Sequence, residues 1–140
     1  MGSRRRAREL ALQMLFQHDM AGTDPSEIFD TFADWRNAAE STRDYARRLV
    51  LGAIAHLPEI DALIVHQADH WRLERMPAVD RNILRLALYE IRHETEIPPP
   101  VVIDEALEIA KRFSTPKSSQ FINGILDGVL KAPGPSARAT

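Results

Sequence analysis

Residues 76–91 read MPAVDRNILRLALYEI, and this stretch decides the fold of the chain. Pro77 suits the first turn of a helix, because its ring fixes φ and it has no N–H group to leave unpaired. Apolar residues from Val79 to Ile91 then cover most of the helix circumference. A helix that is apolar nearly all round is surrounded by other helices. The stretch therefore predicts an all-α bundle with this helix at its centre.

Outward from that helix, apolar residues recur at three- and four-residue spacing, which predicts seven helices in all. The other six are predicted to begin near Ser3, Asp24, Ser41 and Pro58, just after Pro100, and at Pro116. Pro98–Pro100 predicts an extended linker, since the residue before a proline disfavours the helical conformation. Seven short helices without an internal repeat suit two small bundles that share helices. They occupy residues 1–131, and the Pro- and Gly-rich tail 132–140 is predicted to be disordered.

The composition is that of an ordinary globular protein. Of the 140 residues, 44% are apolar and 27% are charged, with a net charge of −2. The absence of cysteine excludes disulfides, thiol catalysis and cysteine metal sites. No apolar stretch approaches the length of a membrane span, and the first residues lack the apolar core of a signal peptide. We therefore expect a soluble, cytoplasmic protein that does not bind a membrane.

Four arginines occupy the first turns of the first predicted helix: Arg4, Arg5, Arg6 and Arg8. The start of a helix carries partial positive charge and favours acidic residues, so cations there oppose the helix dipole. Such a cluster in a slightly anionic chain favours local binding of a polyanion, above all nucleic acid. The alternative is a solvated run of charges with no ligand.

A second polar and aromatic cluster surrounds the last turn between helices. It comprises Lys111, Arg112, Lys117, Ser118, Ser119, Gln120, Phe121 and Asn123. Binding of single-stranded RNA uses basic groups for phosphates, amides and hydroxyls for base edges, and aromatic rings for stacking. All three kinds are present here. For Phe121, a core position and a stacking position are equally compatible with the pattern.

Signatures of catalysis are weak. His66 and His70 stand four residues apart on one predicted helix face, as metal ligands can, but no third ligand is evident. Phosphate-cradling glycine loops and nucleophile elbows are absent from the sequence. The sequence predicts a binding protein without catalytic residues, cofactor or metal. A small hydrolase that uses His66 and His70 is the alternative.

Four segments in a fixed order make a more specific pattern. They are RRRARE at 4–9, RNILRLALYE at 81–90, VIDEALEIAKRF at 102–113 and FINGILD at 121–127. Together they resemble the NusB family of bacterial transcription antitermination factors, from about residue 4 to residue 130. The resemblance implies two packed three-helix bundles plus an extra helix.

The same resemblance implies a set of partners. A member of this family pairs with the ribosomal protein NusE and binds the single-stranded boxA element of nascent ribosomal RNA leaders. With the other Nus factors it helps RNA polymerase to resist termination. Some relatives form homodimers, and nothing in this sequence decides whether this chain does. A protein–protein scaffold in ribosome biogenesis, with incidental RNA contact, is the alternative function.

By motif position, the resemblance assigns roles to individual residues. The implied RNA-binding residues are Arg4, Arg5, Arg6, Arg8, Phe16, Lys117, Ser118, Gln120 and Phe121. The implied contacts with NusE are Glu74, Asp80 and Arg81. Two features depart from the usual family pattern, namely the triple proline and the Pro116–Lys117 pair, and Lys117 is expected to strengthen RNA contact.

Overall fold

The computed structural model describes residues 3–31, 33–68 and 72–131. These residues form eight α-helices and one 3-10 turn, with no strand among them. The helices are α1 Ser3–Ala21, α2 Pro25–Thr31, α3 Ala33–Asn37, α4 Glu40–Ala55, α5 Leu57–Gln67, α6 Ala78–His93, α7 Pro99–Phe113 and α8 Pro116–Lys131, and the 3-10 turn spans Leu73–Arg75. The all-α prediction is confirmed. The predicted disordered tail lies outside the described residues.

α6 is the central helix, as residues 76–91 predicted. It packs against α1, α4, α5, α7 and α8. All side chains from Asp80 to Ile91 are buried, among them Leu84 and Leu88 with no exposed surface. Pro77 takes the N-cap position one residue before the helix begins. Because five of the buried side chains are polar or charged, each needs a hydrogen-bonding partner inside the protein.

The helices form two three-helix groups that share α6. In one group α1, α4 and α6 contact each other, and in the other α6, α7 and α8 do so. α5 packs on α6 and α8, while the short α2 packs on α1. The arrangement agrees with the predicted pair of bundles that share helices. It also brings the start of α1 to α4, α6 and α7 at once.

The structure corrects two local predictions. The second predicted helix is divided into α2 and α3, so the described residues hold eight helices instead of seven. The linker of three prolines is shorter than predicted, because Pro99 and Pro100 lie in the first turn of α7 and Pro98 is its N-cap. Proline is tolerated there, since the first N–H groups of a helix have no partner within the helix.

Two glycines allow helices to approach closely. A Cβ atom on Gly52 in α4 would lie 2.2 Å from the Tyr89 ring of α6, and one on Gly128 in α8 would lie 2.2 Å from the Gln67 side chain of α5. Gly124, one turn before Gly128, has no atom within 4 Å of the corresponding position. The close contact between α5 and α8 therefore depends on Gly128 alone of this pair.

None of the helices in the described ranges is, by itself, long and apolar enough to cross a membrane. The pair α4 and α5, bent by 75° at its junction, meets the length and composition criteria only when the two helices are taken together.

Candidate nucleic-acid interface

Arg8 lies in the protein interior. Its side chain forms a two-point ion pair with Glu90 of α6, with Nε 2.7 Å from Oε1 and Nη2 2.9 Å from Oε2. Arg8 is 6% exposed and Glu90 is 1% exposed. The Tyr45 hydroxyl of α4 donates to Oε2 of the same carboxylate at 2.7 Å. The expectation of four arginines at the surface is therefore wrong for Arg8.

Burial and the Glu90 carboxylate have opposite effects on the pKa of Arg8 and the same effect on the pKa of Tyr45. Burial favours loss of the proton from Arg8, but the hydrogen bond and the negative charge of Glu90 outweigh it and raise the pKa of Arg8. For Tyr45, burial and the neighbouring Glu90 carboxylate both raise the pKa of the phenol. Arg8 therefore stays charged and Tyr45 stays neutral, so this cluster joins α1 to α4 and α6 as one ion pair with a third hydrogen bond.

The other three arginines are accessible, and each has a neighbour within the chain. Arg4 is exposed and lies over the Tyr45 ring, 4.6 Å from its centroid. The Arg5 side chain is 36% exposed and donates two hydrogen bonds to Glu105 of α7, at 2.9 and 2.7 Å. The Arg6 side chain is 41% exposed, with Nη1 3.8 Å from Glu9. We call Arg4, Arg5 and Arg6 the arginine arm.

The pairing with Arg5 changes the pKa of Glu105. The hydrogen bonds from Arg5 hold the pKa of Glu105 below its ordinary value, against the opposing effect of burial. Arg8 adds to this effect, since its Nη1 lies 3.7 Å from Glu105. The carboxylate thus fixes the Arg5 guanidinium against α7, while the Arg5 side chain remains 36% exposed.

An open groove of about 530 Å³ runs beside the arginine arm. Its lining combines cationic, acidic and apolar side chains: Arg4, Arg5, Arg8, Glu96, Ile97, Pro98, Val101 and Glu105. Val101 is one of the exposed large apolar side chains. The arginines offer charge to the phosphates of an unpaired nucleic-acid strand and the apolar side chains offer contacts to its bases, while the paired Glu105 offsets part of the positive charge.

The second predicted segment lies at the start of α8. Lys117 and Gln120 are exposed, and Phe121 is half-buried against the core. Ser118 is buried, and its hydroxyl donates to Asp80 at 2.7 Å. Ser118 therefore fixes the start of α8 and is not available at the surface. Phe121 combines the two interpretations that the sequence left open, since part of its ring packs inside and part stays accessible.

Of the three residues assigned to the partner surface, one is exposed and two are buried. Glu74, in the 3-10 turn, is exposed. Asp80 is 2% exposed, and both of its carboxylate oxygens accept hydrogen bonds from Ser114 and Ser118. The expectation that Asp80 lies at a surface is therefore wrong, and its role is to hold the α7–α8 turn against α6.

Arg81 is also largely buried. It donates two hydrogen bonds to Asp19 of α1, at 2.9 and 2.7 Å, and one to the carbonyl of Leu73 at 3.0 Å. Burial alone would raise the pKa of Asp19, but the hydrogen bonds from Arg81 and Asn82 outweigh it and the pKa is lowered. Arg81 thus fixes the segment that presents Glu74 and does not itself reach outward.

A groove of about 300 Å³ joins the two predicted surfaces. It lies between the residues before α6 and the first turn of α8, and its lining includes Met76, Pro77, Lys117 and Phe121. The predicted RNA segment and the predicted partner segment are therefore neighbours in space. No local pattern predicts this, because Pro77 and Lys117 are 40 residues apart along the chain.

Phe16 and Met20 are exposed on one face of α1. Phe16 is 37% exposed, and Met20, four residues later, is 61% exposed. Residues four apart on a helix lie side by side, so the two form one apolar patch. Phe16 is among the predicted site residues, whereas Met20 is not, because its position in the helical pattern is that of an ordinary terminal residue.

A group of possible metal ligands that no sequence motif indicates lies where α4, α5 and α6 meet. His56, Glu59 and His93 each offer a ligand atom, and these atoms all lie within 4.8 Å of one another. The signal was hidden because the two histidines are 37 residues apart and meet only when α4 and α6 pack. Of the predicted pair, His66 is exposed on α5, and His70 lies outside the described residues.

Comparisons with known proteins agree on one family. The NusB family model matches residues 5–131. The chain is 52% identical over 137 residues to the transcription antitermination protein NusB of Symbiobacterium thermophilum, covering 92% of this chain and 90% of that protein. Among solved structures, NusB of T. maritima superposes with a TM-score of 0.85 at 42% identity, covering 94% of this chain and 93% of that one.

A second solved structure shows a relative with its ligands. It contains the antitermination factors NusB and NusE in complex with dsRNA. The matching chain has a TM-score of 0.84 and 31% identity, covering 94% of this chain and 98% of that one.

Proposed function

This chain belongs to the NusB family, and on that premise we propose that it is an RNA-binding adaptor of bacterial transcription antitermination. It pairs with the ribosomal protein NusE and binds RNA, as does the relative solved with NusE and dsRNA. The observation that carries the proposal is the family match across residues 5–131, which includes every residue assigned above to RNA or to the partner except Arg4. The role is one of binding and assembly, without catalysis, and belongs to the cytoplasm where transcription takes place.

The RNA element that we propose is boxA, an unpaired segment of nascent ribosomal RNA leaders. The arginine arm supplies cations for phosphates, and the apolar side chains that line its groove, such as Pro98 and Val101, offer contacts to bases. Phe16 adds an exposed aromatic ring, and Lys117 and Gln120 add a cation and an amide. Arg8 and Ser118 act as positioning residues, because both are buried and hydrogen-bonded to carboxylates.

For the partner surface, we propose that NusE contacts the 3-10 turn through Glu74. Arg81 holds this turn in place from inside the protein by donating to the Leu73 carbonyl, and Asp80 holds the neighbouring start of α8 through Ser118. Because Met76 and Pro77, which directly follow the turn, line one groove with the start of α8, the bound partner lies beside the segment that carries Lys117. Because the surfaces proposed for NusE and for RNA are adjacent, this protein can hold both together. The other Nus factors and RNA polymerase then join this complex.

The decisive experiment is a titration of boxA RNA with this protein, with and without NusE, at about 50 mM and about 200 mM salt. We expect tighter binding with NusE, preference for boxA over a scrambled RNA of equal length, and weaker binding at the higher salt. Salt-independent binding to NusE together with no RNA affinity would favour the scaffold function instead. Equal affinity for boxA and scrambled RNA would reject boxA as the target while leaving RNA binding intact.

A further inference from the structure

Two histidines and a glutamate meet where α4 turns into α5 and α6 ends. His56 Nδ1 lies 3.4 Å from Glu59 Oε1, and His93 Nε2 lies 3.3 Å from Glu59 Oε2. The two imidazole rings are stacked, with centroids 3.9 Å apart and planes 20° from parallel. The carboxylate thus lies between two ring nitrogens, and the three ligand atoms lie within 4.8 Å of one another.

The donor set and its spacing match the chemistry of one class of ion. Two imidazoles and one carboxylate are a common ligand set for zinc, which leaves a fourth position for water or another ligand. In a tetrahedral site with ligands about 2.1 Å from the ion, neighbouring ligand atoms lie about 3.4 Å apart. The two histidine–glutamate distances are close to this value, and they end on the two different oxygens of the Glu59 carboxylate. Imidazole ligands also suit nickel and copper, whereas magnesium prefers oxygen alone.

We propose that His56, Glu59 and His93 form a binding site for a divalent transition-metal ion of the zinc class. Packing holds the ligands on three helix ends, since Tyr89 of α6 lies against Gly52 of α4 and stacks on both histidine rings. The lone pair of each imidazole nitrogen lies in the plane of its ring, so two stacked rings do not point at one ion. Binding of the metal ion therefore tilts the two imidazoles apart. It also displaces Arg92, whose Nε lies 3.6 Å from Glu59.

The test is a calorimetric titration of the full chain, free of any affinity tag, with Zn²⁺. We expect saturable binding of one ion per chain, and no binding of Mg²⁺. H93Q and E59Q each remove one ligand, and each is expected to weaken Zn²⁺ binding by about tenfold or more. H66Q is the matched control, since His66 is an exposed histidine of α5 outside the cluster, and it should leave the affinity unchanged. Co²⁺ bound in place of Zn²⁺ should give the visible absorption of a four-coordinate site, lost in H93Q.

Three outcomes would overturn the proposal. They are the absence of saturable Zn²⁺ binding, Zn²⁺ binding that survives both H93Q and E59Q, and Zn²⁺ binding that is lost in H66Q. The last result would move the site to the other end of α5. Circular dichroism of each variant shows whether it is folded, so that a lost helix is not read as a lost ligand. RNA binding is measured separately in the presence of EDTA, so failure of the metal site leaves the antitermination function untouched, and the reverse also holds.

Discussion

Arg8 and Glu90 pair in the interior through two parallel hydrogen bonds of 2.7 and 2.9 Å, 82 residues apart in sequence. Arg8 belongs to the same run of arginines as Arg5 and Arg6, yet it joins three helices while they face solvent. The helical repeat accounts for the difference. One face of α1 packs on α4 and α6, and Arg8 lies on that face with Leu12 and Leu15. A single basic run therefore serves both to hold the fold and to offer charge at the surface.

We expect R8A to destabilise the fold by about 3–5 kcal/mol, because it leaves the Glu90 carboxylate buried without its cation. R8K should also be destabilised, since lysine cannot form the two-point pair. The triple variant R8M/Y45F/E90M, which replaces the whole cluster with apolar groups, should recover much of the loss. Urea unfolding followed by circular dichroism measures all three. A loss of about 1 kcal/mol or less in R8A, typical of an exposed pair, would contradict the buried arrangement.

Gly52 should not tolerate a methyl group. In G52A the new Cβ would lie 2.2 Å from the ring of Tyr89, so α4 and α6 must move apart. Overpacking of this kind costs about 1–3 kcal/mol. G124A is the control, because nothing lies within 4 Å of its added Cβ and alanine favours the helix by about 1 kcal/mol. Thermal unfolding should place G52A below the parent protein and G124A at or above it, and the opposite order would refute the contact.

Stability should fall on acidification through Asp19 and Glu105. Their pKa values are lowered in the folded protein, so both carboxylates bind protons more weakly when folded than when unfolded. A lowered pKa stabilises the fold above the unfolded value, about 3.9 for Asp and about 4.3 for Glu, and this contribution is lost as the pH falls further. Unfolding free energies measured from pH 7 to pH 3 should fall less steeply in D19N and E105Q than in the parent. Profiles of D19N and E105Q as steep as that of the parent would contradict a stabilising role for these two carboxylates.

The sequence predicts the helices of this protein and the burial of α6, but not the polar contacts between helices. Helix periodicity predicted α6 and its burial, because burial on all sides leaves a pattern within one segment. It could not predict that Arg8 and Asp80 are buried, since their partners Glu90 and Ser118 come from other helices. The His56–Glu59–His93 group is hidden for the same reason. Local patterns report which face of a helix is apolar, whereas pairs of charges far apart in sequence appear only once the helices are packed.

Phe16 provides a test of stacking that is separate from folding. F16A should lose about 1–3 kcal/mol of RNA-binding free energy, which is the usual contribution of one aromatic ring stacked on a base. Phe16 is 37% exposed and lies outside the core, so we expect F16A to remain folded, which circular dichroism checks. M20A is the matched control, since Met20 is an exposed apolar residue one turn later on the same face of α1. Fluorescence anisotropy with labelled boxA RNA gives the affinities. Equal losses in F16A and M20A would point to a general apolar contact and contradict stacking.

Arg4 and Arg6 test the arginine arm without disturbing the fold. Arg8 is unsuitable because it supports the core, and Arg5 is less suitable because its removal releases Glu105. If each arginine neutralises one phosphate of a single strand, R4A/R6A should make the slope of log K against log salt shallower by about 1.4. K131A is the control, since Lys131 is an exposed cation at the far end of α8. Affinities for boxA RNA at four or more salt concentrations give the slope. An unchanged slope in R4A/R6A, with K131A also unchanged, would exclude these two guanidinium groups from the phosphate contacts, and the exposed Lys117 would then be the next cation to replace.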